Sequence, residues 1–127
     1  MGKTRSELRE KCMIILYQYD LIKNSDVDEL IKDNLEIDND FVRDVVYGVV
    51  THKEEIDETA NKFMKDWTID RIDKTGKAIL RVGLFELMYT DTPDIVVINE
   101  AVELAKKYSD DNVRKIINAV LDKYIRE

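Results

Sequence analysis

Two arginines four residues apart, Arg5 and Arg9, stand near the start of this chain with Lys3 before them and Lys11 after. On a helix that spacing projects both guanidinium groups from one face, close to an N-terminus whose free backbone N–H groups also attract phosphate oxygens. The same cations suit the solvated outside of a helix, so the cluster alone leaves both uses open. A second basic group, Lys106, Lys107, Arg114 and Lys115, brackets the polar break Ser109-Asp110-Asp111-Asn112. Cations near a helix C-terminus are favoured by the helix dipole, so this group is a weaker signal. Two amides, Asn99 and Asn118, interrupt apolar helical runs. An amide in such a place needs partners, either as a buried hydrogen-bonded group or by reaching a ligand. Tyr17 and Tyr19 read as core or boundary aromatics rather than as platforms for unpaired bases.

Catalytic chemistry finds little support. Gly76-Lys77 lacks the second glycine of a phosphate loop, with Arg71 in its place, and Ala78 stands where a serine or threonine is needed. His52 is the single histidine, which leaves no paired metal ligands and no histidine-activated nucleophile pair. Cys12, the single cysteine, reads as a small core residue, so neither a disulfide nor a cysteine metal site is expected. Carboxylate pairs such as Glu54 and Glu58 are solvated helix faces. No nucleophile, base and orienting group come together, so we expect no catalytic residues, no metal, no cofactor and no enzyme activity.

The elements that must position these groups are helices. Thr4 and Glu7 have the spacing of a capping box, and Leu8, Cys12, Ile15, Leu16 and Tyr19 recur at helical spacing behind them. Asp26 and Glu29 open a second, short helix with Val27, Leu30 and Ile31 on its apolar face. A third helix is expected from about Asn39 towards Asp66, carrying Phe41, Val45, Val49, His52, Ile56, Ala60 and Phe63 on one side. Gly48 inside it costs about 1 kcal/mol relative to alanine, which suggests close approach of another helix. Trp67 and Thr68 end that segment. Thr68 or Asp70 caps a fourth helix through Ile72, Ile79, Leu80, Gly83, Leu84 and Leu87. The last two helices run from Val96 to Tyr108, with Val97, Ala101, Leu104 and Ala105 in one stripe, and from Asp110 to Ile125, capped at Ser109 or Asp110, with Val113, Ile116, Ile117, Val120, Leu121 and Tyr124 in the other. No stretch alternates long enough to form a strand. The expected fold is all-α: one domain over residues 1–127, built as an N-terminal bundle to about residue 67 and a C-terminal bundle from about residue 68.

At 127 residues such a domain can bury roughly two-thirds of its unfolded surface. No apolar run approaches the ~20 residues that span a bilayer, and no signal-peptide hydrophobic region follows the charged N-terminus. With a lone cysteine, a reducing, cytoplasmic setting is expected. The formal charge of −7 argues against nucleic acid wrapped over the whole surface but allows a local site. Much of the negative charge lies between residues 20 and 40, where Asp20, Asp26, Asp28, Glu29, Asp33, Glu36, Asp38 and Asp40 face only Lys23 and Lys32.

Several blocks in order along the chain resemble the NusB family of transcription antitermination factors. They are Arg9-Glu10 with Leu16-Tyr17, Phe41-Val42-Arg43-Asp44 with Gly48-Val49, and Ala78-Ile79-Leu80-Arg81 with Phe85-Glu86-Leu87. Pro93, the run Ile98-Asn99-Glu100-Ala101-Val102-Glu103-Leu104-Ala105-Lys106, and Asn118 to Lys123 complete the set. The resemblance implies two helical bundles and binding of boxA-type single-stranded RNA. It also implies a protein partner, NusE, shared with the small ribosomal subunit, in the antitermination complex of RNA polymerase on ribosomal RNA operons. Carried over by residue, the RNA face would use Lys3, Arg5 and Arg9 with Asn112, Lys115 and Asn118. The NusE face would use Asp70, Asp73, Lys77 and Glu86. On this reading Arg9→Glu weakens RNA binding without unfolding the helix.

The chain also departs from the family pattern. Ser6, Glu7 and Leu8 interrupt a denser arginine run, Gly76 stands where many members have an acid, Asn112-Val113 replaces a common Asp-Ser, and Ala119 replaces a frequent glycine. The thin arginine cluster and the net acidity therefore support an alternative, a helical adaptor that acts mainly through NusE or in ribosome assembly with little RNA affinity of its own. A third use, as the RNA-binding domain of RNA cytosine methyltransferases, finds no cofactor loop here. Homodimerisation through an apolar helix face is a further expectation, and it would hide the RNA site.

Overall fold

The computed structural model describes residues 3–127 and is all-α, with seven α-helices and no strand among those residues. Helix α1 (Arg5–Leu21) opens with the expected capping box: the Glu7 N–H donates to Thr4 Oγ1 at 3.1 Å and the Thr4 N–H donates to Glu7 Oε1 at 3.2 Å. Helix α2 (Val27–Asn34) is capped by Asp26, which accepts from the Glu29 N–H at 3.1 Å. Asn39 caps α3 (Asp40–Thr51) in the same way through the Val42 N–H.

The single long third helix expected from the sequence is two helices. It breaks at His52 (φ −104°, ψ 19°), and α4 (Lys53–Lys62) starts afresh beyond it. Val49, Val50 and Thr51 are β-branched and hold a helix weakly, whereas Glu54 and Glu55 suit a new N-terminus electrostatically. The bend turns Ile56 and Ala60, both fully buried, into the core. A second difference follows. Neither Thr68 nor Asp70 caps the next helix, because Ile69 and Ile72 both anchor in the core with a 3-10 turn (Ile69–Arg71) spanning them. Asp73 therefore caps α5 (Lys74–Tyr89), accepting from the Gly76 N–H at 2.8 Å. An Asp73→Ala chain should lose about 1 kcal/mol, read as a lower urea midpoint at unchanged m-value.

Helix α6 (Asp94–Tyr108) follows Pro93, and Asp110 caps α7 (Asp111–Arg126) through the Val113 N–H at 2.8 Å. Helix α5 is the axis. Its residues from Ala78 to Glu86 are all buried, and α1, α3, α4, α6 and α7 pack around it. One continuous apolar cluster runs from Leu8 to Leu121 and joins residues before Trp67 with residues after it. Among the described residues no helix is long and apolar enough to cross a membrane.

Gly48 is the close approach anticipated from its place inside a helix. A Cβ there would lie 2.2 Å from Cε1 of Phe85, a buried ring of α5. Gly48→Ala should destabilise the chain by about 1–3 kcal/mol despite the better helix propensity of alanine, measured by thermal or urea unfolding.

Candidate nucleic-acid interface

Arg9 and Glu86, expected on two different surfaces, are bonded to each other in the interior. Arg9 Nε donates to Glu86 Oε2 at 2.8 Å and Arg9 Nη2 donates to Glu86 Oε1 at 2.9 Å, with the residues 4% and 1% exposed. The Thr92 hydroxyl donates to Glu86 Oε1 at 3.1 Å, and Glu100 lies 3.6 Å from Arg9 Nη1. Burial opposes the charge on Arg9, but the hydrogen bonds and charge of Glu86 outweigh it and hold the guanidinium above its ordinary pKa. Neither residue is free to meet RNA or a partner protein. The sequence signal was present: both charges sit inside the apolar faces of their helices, where an ion needs a buried counterion.

The other predicted RNA residues divide between the two ends of α5. Asn112, Lys115 and Asn118 are all exposed on α7. Asn118 is therefore not a buried structural amide. Asn112 and Lys115 line a shallow groove of about 250 Å³ closed on its far side by the loop after α4, with Lys65, Trp67 and Lys123 also on its walls. Asn118 lies outside that lining, one side of the helix away. Trp67 is 39% exposed and carries the Arg71 guanidinium 5.2 Å from its ring centroid. The groove thus combines three lysines, an open indole and a primary amide, the chemistry that holds phosphates and stacks an unpaired base. Lys65, Trp67 and Lys123 are missed by reading the sequence: Lys123 shares α7 with Lys115, but only the return of residues 63–67 onto α7 brings Lys65 and Trp67 to them. That loop is held by the Ile69 N–H, which donates to Asn61 Oδ1 at 2.8 Å, and by a left-handed turn at Asp66 (φ 63°).

Lys3 and Arg5 lie at the opposite end. The Arg5 guanidinium sits over the Phe41 ring at 4.2 Å, and its neighbour Arg9 binds Glu86 in the last third of α5. Val113, two residues before Lys115, packs beside Gly76 at the start of α5. Ten residues of α-helix separate those positions by roughly 15 Å, so the two basic groups form separate patches.

The NusB family model matches residues 6–126, nearly the whole chain. The chain belongs to the NusB family. A transcription antitermination protein NusB of Staphylococcus aureus is 43% identical over 124 residues, covering 93% of this chain and 95% of that protein. The structure of T. maritima NusB superposes with a TM-score of 0.92 at 26% identity, covering 100% of this chain and 94% of the other. A crystal structure of the antitermination factors NusB and NusE in complex with double-stranded RNA matches with a TM-score of 0.84 at 30% identity, covering 99% and 98% of the two chains. Membership of this family makes the chain a transcription antitermination factor and not an enzyme.

The rest of the NusB fold bears on the expected partner face. Asp70, Asp73 and Lys77 cluster at the start of α5, with Lys77 Nζ 3.9 Å from Asp70. Asp73 is occupied as the helix cap and also accepts from the Ser109 hydroxyl at 3.1 Å. Asp70, with its side chain 83% exposed, is the open carboxylate of the two. Lys107 is engaged by Glu10 at 2.7 Å, and the same hydrogen bond holds the Glu10 carboxyl below its usual range. Cys12 is fully buried, and burial pushes its thiol pKa up, the reverse of what a nucleophile needs. His52 is stacked on Tyr89 with ring centroids 4.3 Å apart.

Proposed function

We propose that this NusB protein binds boxA-type single-stranded RNA together with NusE and so promotes processive transcription of ribosomal RNA operons by RNA polymerase in the cytoplasm. The observation that carries the reading is the lysine-ringed groove around Trp67, Asn112 and Lys115, because an open indole among lysines suits an unpaired, phosphate-linked base. Asn118 extends the polar strip along α7. Lys3 and Arg5 serve as outlying phosphate contacts, which an extended single strand reaches across the intervening helices. Arg9 and Glu86 are left out of both faces and act as internal supports. NusE docks at the start of α5 through Asp70, Asp73 and Lys77, and the net charge of −7 suits a basic ribosomal protein. A solved relative bound to NusE and double-stranded RNA supports this pairing of ligands.

The separation of the two basic patches favours cooperation with NusE over tight binding by NusB alone. Fluorescent boxA RNA and a scrambled control, titrated with and without NusE at several salt concentrations, test the proposal. Sequence-selective binding that tightens with NusE is expected. Neutralising three phosphates at Lys65, Lys115 and Lys123 gives a slope of about −2 in log affinity against log salt for a single strand. Equal affinity for boxA and scrambled RNA, with and without NusE, would reject the RNA reading and leave an adaptor for NusE.

A further inference from the structure

At the end of α5 remote from Trp67 and Asp70, the helices leave a groove of about 690 Å³ that shares only Arg5, on its rim, with the proposed RNA face and no residue with the NusE face. Its apolar surface comes from Phe41 on α3, Tyr89 at the end of α5, Pro93 before α6 and Val96 in the first turn of α6. Tyr89 and Val96 are 38% and 37% exposed. Large open apolar side chains lining a concavity mark an interaction surface more than scattered ones do. The walls are also held in place before any ligand arrives. The Tyr89 hydroxyl donates to Glu55 at 2.5 Å while its ring stacks on His52 and tilts against Phe85, and Phe41 is covered by Arg5. Rigid aromatic walls lose little entropy on docking.

The charge around the groove selects the partner. Asp44 and Asp91 line it, both are exposed, and neither has an ion-pair partner among the described residues. Glu100 adds a third carboxylate, shared with Arg9 and the Ser6 hydroxyl. Among the described residues Arg5 is the one free cation on the lining, since Arg9 is taken by Glu86. An apolar floor with an excess of unpaired carboxylates repels phosphodiesters and favours lysine and arginine. We infer that this groove docks a second protein partner through a short segment in which lysine or arginine flanks an aliphatic or aromatic anchor.

Apart from the shared Arg5, the inference is independent of the RNA and NusE assignments, and its test uses neither boxA RNA nor NusE. The probe is a fluorescein-labelled peptide with Lys and Arg around Leu and Phe anchors, compared with the same anchors flanked by Glu and with a single-stranded RNA. Anisotropy reads affinity, and amide shifts of the full chain read location. The basic peptide should bind and shift amides from Tyr89 to Val96. Asp44→Lys/Asp91→Lys should weaken it about tenfold or more, the effect of about 1.4 kcal/mol. Asp33→Lys/Glu36→Lys on the acidic loop side of α2 makes the same change in net charge and should leave most of the affinity. Val96→Glu, at an exposed position that tolerates the change, should also weaken the peptide. Thermal unfolding confirms that each variant is folded. Equal losses in the two double variants would reduce the effect to net charge and overturn the inference. So would equal binding of the Glu-flanked peptide, no binding of the basic one, or RNA shifting the same amides.

Discussion

Glu86→Ala lowers the stability of this chain by about 3–5 kcal/mol, roughly 10–20 °C in melting temperature for a domain of this size. The substitution strands the Arg9 guanidinium, 4% exposed, against apolar neighbours with only Glu100 at 3.6 Å to answer its charge. It also removes the acceptor of the Thr92 hydroxyl. Arg9→Glu is more disruptive still, because it sets a new carboxylate beside Glu86 and Glu100. That substitution is therefore a stability variant and not a probe of RNA contact. The control is the double exchange Arg9→Met/Glu86→Leu, which replaces the pair by apolar groups of similar reach and should recover most of the loss. Chemical denaturation of the three variants decides the matter. A Glu86→Ala chain as stable as the parent, or a double variant no better than the single, would show that the pair carries little of the fold.

Trp67→Ala weakens RNA binding by about 5- to 100-fold, the range expected for loss of one base-stacking platform at 1–3 kcal/mol. The residue is 39% exposed, so the cost in stability is small by comparison, and Trp67→Phe keeps a ring and should keep much of the affinity. Lys115→Ala reduces affinity less than Trp67→Ala but also flattens the salt dependence, since one phosphate contact is gone. Arg5→Ala, at the far end of α5, acts independently, so its effect adds to that of Trp67→Ala. Titration of the variants with the same RNA at two salt concentrations separates these cases. Unchanged affinity in Trp67→Ala, with a large loss in Arg5→Ala, would move the RNA site to the N-terminal patch.

Much of this protein was legible in its residues. The all-α class, the caps at Thr4 and Asp26, the choice of Ser109 or Asp110 for the last helix, the apolar stripes of α1, α6 and α7, and the close packing at Gly48 follow from local rules that need only neighbours in sequence. Family membership was legible as well, because ordered blocks along the chain carry it. What escaped was decided by contacts between distant segments. The break at His52 depends on where Ile56 and Ala60 must go to meet the core, and the cap at Asp73 depends on Ile69 and Ile72 both being anchored. Arg9 had the spacing of a surface phosphate ligand, but a carboxylate 77 residues away claims it in the interior. The Trp67 groove exists only because the loop after α4 folds back over α7. Periodicity fixes which face of a helix is buried; which charged group finds a counterion, and which aromatic ring stays open, is settled by the three-dimensional packing that brings those faces together.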